Sequence, residues 1–130
     1  MHLLIEKDIL STVFQRVKVL GAHEVGHSLG LTHNFAGSSY HDGFGSVMDY
    51  PPPIVTVDST GTKLILNNKS YANNIGYFDK VVISYGYRDI NDQNENINLM
   101  NLINEAESNG YLFLTDEDSD ISGSDWRVSK

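Results

Sequence analysis

A chain of 130 residues, 40% hydrophobic and 20% charged, is long enough for one globular domain and short for two. Its net charge of −8 argues against nucleic-acid binding through phosphates and against an anionic membrane as partner, both of which need clustered Lys and Arg. No apolar run reaches the roughly 18 residues of a membrane span, and with no cysteine any metal must be held by His, Asp or Glu.

The N-terminal stretch Met1–Asp8 lacks a charged segment followed by a long apolar one, so no signal peptide is read there. The spacing predicts a helix from about Leu3 to Leu29. Ile9, Leu10, Val13, Phe14, Val17 and Leu20 recur at three- and four-residue intervals and build one apolar face. Lys7, Asp8, Ser11, Thr12, Gln15, Arg16 and Lys18 fall opposite. After Val19 the apolar residues Ala22, Val25 and Leu29 spread round the other side, so the last turns are expected to be buried nearly all round. Gly30 is placed to end the helix, because glycine tolerates the left-handed conformation at a helix C-terminus.

Asn34 to Ser46, rich in Gly, Ser and Asn, reads as loop, and Pro51–Pro53 blocks regular structure after Val47–Tyr50. Ile54–Val57 and Lys63–Leu66 flank a turn at Asp58–Gly61 and predict a hairpin. A second helix is expected over Ile75–Tyr87 and a third over Ile97–Ser108, stopped by Asn109-Gly110. The last fifteen residues read as an irregular, solvated acidic tail. Within it Asp116–Asp120 starts like a calcium loop, but Ile121 and Arg127 stand where that loop needs Gly and Glu. His41 and Asp42, in the Gly-rich loop, also read as solvated, and His2 is uninformative.

The chemistry lies in Gly21–Phe35, GAHEVGHSLGLTHNF. On a helix His23 and His27 stand one turn apart, roughly 6 Å along the axis, and can share a tetrahedral zinc ion. Glu24, offset from them, can act as general base on a water at the metal's open position. A sharp turn at Gly30 can return His33 as third ligand, which completes HExxHxxGxxH. A lone carboxylate in an apolar stretch would gain the strong partner it needs from such a site.

His23–His33, HEVGHSLGLTH, resembles the zinc motif of the metzincin metalloproteases, and Ser46–Tyr50 resembles their Met-turn. HEVGHSLGLTHNFAGSS, SVMDYP and YFDKVVISYGYR are similar, more closely, to the bacterial-type zinc-dependent Met-zincin family. The resemblance implies one catalytic Zn²⁺ on His23, His27 and His33, with Glu24 as base and then proton donor to the leaving amine. It also implies Met48 as the apolar floor under the histidines, and Tyr50 as a second catalytic residue near the zinc, which either binds the metal in the resting state or stabilises the oxyanion.

The expected fold is α+β and mainly helical: the C-terminal part of a metzincin-like catalytic domain. Residues 1–50 would carry the active-site helix, zinc motif and Met-turn, and 51–130 a C-terminal subdomain. Only about twenty residues, read as helix, precede His23, so the substrate-binding sheet of such domains is expected to be missing from this chain. The expected partner is a peptide or protein substrate, with secretion or a periplasmic location implied by the resemblance; nothing in the sequence sets an oligomeric state. Two further readings stand beside the peptidase: a catalytically silent metal-binding fragment, and a helical interaction module whose histidines bind nothing.

Overall fold

The computed structural model describes residues 2–40, 44–89 and 94–118. In chain order these form helix α1 (His2–Ser28), a 3₁₀ turn (Gly37–Ser39), strands β1 (Thr56–Val57) and β2 (Leu64–Ile65), and helices α2 (Tyr77–Tyr87) and α3 (Glu95–Ser108). The described residues are thus mainly helical, with one small antiparallel ribbon that pairs Thr56 with Ile65 and Val57 with Leu64. None of their helices is long and apolar enough to cross a membrane.

The predicted elements recur with shifted ends. The hairpin shrinks to two residues a side, because Asp58 organises a wider turn. Its Oδ1 accepts the Thr62 and Lys63 amide hydrogens, and its Oδ2 the Thr60 hydroxyl. These bonds hold the Asp58 carboxyl below its ordinary range. Gly61, at φ +72°, takes the left-handed position of that turn. Gly110, at φ +81°, ends α3 where Asn109-Gly110 forecasts it.

The largest departure is on α1. The face built by Ile9, Leu10, Val13, Phe14, Val17 and Leu20 is the exposed one, with Phe14 68% exposed, whereas Thr12, Gln15 and Val19 on the other side are buried. Periodicity shows where the apolar side lies, not which side the chain covers. Here the irregular stretch before α2 lies along the polar side. Gln15 Oε1 accepts the Tyr71 amide hydrogen at 3.3 Å, and the Arg16 guanidinium stands 5.6 Å from the Tyr71 ring centroid. Nor are the last turns buried all round: Glu24, Val25 and Leu29 are exposed, and only His23 and Gly26 are buried there.

The core forms two patches bridged by half-buried Val82 of α2. One is Ala36, Tyr40, Phe78 and Leu114; the other is Leu31, Val47 and Met48. Ala36 and Tyr40, in the stretch read as loop, therefore supply core. Asn34, at 0% exposure, holds it together. Its Oδ1 accepts the Ala36 and Leu114 amide hydrogens, and its Nδ2 donates to Tyr40 Oη and to the Leu112 carbonyl. Burial pushes the Tyr40 hydroxyl up to about 12. Gly76 comes so close to the Gly45 carbonyl that a Cβ there would strike the backbone.

Candidate metal centre

Three histidines meet at one end of α1. Their ring centroids lie 4.6 Å (His23–His27), 4.9 Å (His27–His33) and 5.3 Å (His23–His33) apart. One ligand atom from each lies within 4.8 Å of the others, a group that can hold a metal ion. The helix delivers the first two as its geometry requires. Gly30 delivers the third: at φ +84° it reverses the chain after α1, with the Leu31 N–H returning to the Gly26 carbonyl at 3.0 Å.

Each ring is oriented from its outer nitrogen. His23 Nδ1 donates to the Val47 carbonyl at 2.8 Å, and His27 Nδ1 to the Leu31 carbonyl at 2.9 Å. Carbonyl oxygens only accept, so both rings carry a proton on Nδ1, and the matching neutral tautomer has its lone pair on Nε2. Those two Nε2 atoms face each other at 3.0 Å. Two lone pairs at that distance repel unless a cation lies between them. Tetrahedral zinc, with nitrogens at about 2.0–2.1 Å and hence about 3.3 Å from one another, fits this donor set.

The neighbouring residues close round the cluster. Met48, 1% exposed, packs under α1 with its sulfur against Gly26, where a Cβ would collide with it. Gly26 directly precedes His27 in the chain, so Met48 packs against the helical turn that carries the histidines. Tyr50 Oη is 2.9 Å from His33 Nε2, and the Tyr50 and His23 ring centroids are 4.9 Å apart. Glu24 is exposed on α1, so its carboxylate does not carry the burial cost expected of that stretch. Behind Met48 and Leu31 opens a largely apolar cavity of about 550 Å³, bounded also by Val82, Tyr85, Ile103 and Phe113.

Two acids here carry roles that the sequence reading did not assign. Asp79, buried in the first turn of α2, accepts the Ser46 hydroxyl and the Val47 and Gly76 amide hydrogens at 2.6–2.9 Å. An acid three residues after the N-cap of a helix, here Gly76, is a capping signal, so Asp79 was open to detection. Asp116, read as part of a solvated tail, instead pairs with His33: its Oδ2 accepts from Nδ1 at 2.7 Å. No local pattern in the sequence marks that contact. His41, Asp42 and the acids after Asp118 lie outside the described residues.

The Met-zincin family model matches residues 7–130 of the chain. No curated protein and no solved structure matches it.

Proposed function

Because the chain belongs to the Met-zincin family, we propose that it is a zinc-dependent metallopeptidase that hydrolyses peptide bonds. The observation that carries this reading is the convergence of His23, His27 and His33, with the Nε2 atoms of the two helical rings 3.0 Å apart. Those three Nε2 atoms would hold one zinc ion. Zinc supplies Lewis acidity when bound, polarising the scissile carbonyl and acidifying water.

The chain's own residues do the rest. Glu24, exposed on α1 next to His23, takes a proton from the attacking water and passes it to the leaving amine as the C–N bond breaks. The Tyr50 hydroxyl, which donates to His33 Nε2, turns to the carbonyl oxygen as negative charge develops there. Met48 acts as the Met-turn floor: buried and unreactive, it keeps water from the underside of the histidines. The apolar cavity beside it takes a hydrophobic side chain of the substrate.

Metal analysis of the purified chain, with a peptide-library digestion run with and without chelator, tests the proposal. One zinc per chain and chelator-sensitive cleavage are expected. Zinc without cleavage would leave a silent metal site, and no metal at all would leave an interaction module.

A further inference from the structure

We infer that Asp116 is the positioning residue for the third metal ligand, fixing His33 in the single tautomer and orientation that aims Nε2 at an ion shared with His23 and His27. This rests on the zinc reading above.

The three rings are not held alike. His23 and His27 stand on a helix, and neutral backbone carbonyls fix their outer nitrogens. His33 stands past the Gly30 turn on irregular chain, where no helix restricts the side chain. It is the one ring whose outer nitrogen meets a carboxylate, Asp116 Oδ2 at 2.7 Å. A charged acceptor makes the stronger hydrogen bond and raises the basicity of the opposite nitrogen. The Tyr50 hydroxyl at 2.9 Å from Nε2 fits the same tautomer, with the proton on Nδ1 and the lone pair facing the cluster.

Asp116 is 62% exposed, and an exposed contact to a carboxylate usually contributes little to stability. Its position, however, is set from the core. Leu114, two residues before it, is completely buried. Its N–H goes to Asn34 Oδ1 at 3.1 Å, and its carbonyl accepts the Phe35 N–H at 2.8 Å. Asn34 and Phe35 directly follow His33, so one short stretch of chain fixes both partners of the pair. Beyond it, Thr115 and Asp118 close a turn around Asp116: the Thr115 N–H donates to Asp118 Oδ2 and the Asp118 N–H to the Thr115 carbonyl, both at 3.1 Å. The acid is thus built into place, and its effect should fall on metal affinity far more than on folding.

Zinc dissociation constants of the full chain, measured by competition with a chromophoric chelator, test this. Asp116→Ala should weaken zinc binding about 10- to 100-fold. Asp116→Asn, which keeps an acceptor oxygen, should weaken it less. Glu117→Ala, which removes the same charge from the next position, should leave it near wild type. Equal effects of Asp116→Ala and Glu117→Ala, or none from the former, would overturn the inference while leaving the metal site intact. Absence of zinc binding by the wild type would instead overturn the metal reading beneath it. Imidazole ¹⁵N shifts of the metal-free wild-type chain decide independently of any variant's folding: His33 should carry its proton on Nδ1, and a proton on Nε2 would overturn the assignment.

Discussion

The Asp79 carboxylate, buried at the start of α2, accepts the Val47 amide hydrogen at 2.9 Å, and the carbonyl of that same residue orients His23. A helix far along the chain therefore sets the angle of one ring of the histidine cluster through one peptide unit. Asp79→Ala strands three donors: the Ser46 hydroxyl and the Val47 and Gly76 amides. Each stranded buried donor costs about 1–3 kcal/mol. A loss of at least about 3 kcal/mol in denaturant unfolding is expected, with weaker zinc binding in whatever remains folded.

Gly76→Ala should also destabilise, because the added Cβ meets the Gly45 carbonyl and the Ser46 amide, which are backbone and cannot swing aside. A cost of about 1–3 kcal/mol is expected from such overpacking. Gly86→Ala, where the new methyl meets nothing within 4 Å, should be neutral or mildly stabilising in the same denaturation experiment.

Glu24→Gln separates chemistry from metal binding. The amide is nearly isosteric and the side chain is exposed, so fold and zinc content should match wild type. Loss of a general base lowers turnover by roughly 10²–10⁴. A variant that kept its zinc and cleaved peptides at the wild-type rate would remove Glu24 from the mechanism.

Zinc held by the converged rings would raise the melting temperature, since the unfolded chain does not bring those rings together. At a hundredfold excess over the dissociation constant the gain is about 2.7 kcal/mol. The gain should shrink in acid, because only neutral imidazoles bind metal. His33→Ala should lose most of it. A zinc-induced shift equal in wild type and His33→Ala would place the ion elsewhere.

Tyr40 predicts behaviour in alkali. Burial raises its hydroxyl from 10.0 to about 12, so the folded chain keeps a proton that the unfolded chain releases. That contribution to stability is complete below pH 10 and is lost as pH climbs towards 12. Unfolding curves across this window should show the decline, and Tyr40→Phe should flatten it. An unchanged slope in Tyr40→Phe would count against Tyr40 as the source.

The part of the site that the sequence disclosed is the part made by local geometry. A helical repeat of four puts His23 and His27 together, a left-handed glycine brings His33 back, and Met48 and Tyr50 sit close to one another in a short motif. The braces behind these residues were not legible. Val47 to His23, Asp79 to Val47 and Asp116 to His33 each join distant segments, and such contacts leave no periodic mark. The face of α1 misled for a related reason. Its apolar side is plain in the sequence, but which side is covered was decided by the chain around Tyr71, whose amide hydrogen goes to Gln15.

The Asp116–His33 pair spans 83 positions. A ribosome adding about 5–20 residues per second needs several seconds to cover that distance. Through that interval a nascent chain already presents the helical histidines but lacks the brace of the third. If the cluster captures zinc, full-strength capture waits until Asp116 has been made, and a chain released before that point would be poorly loaded.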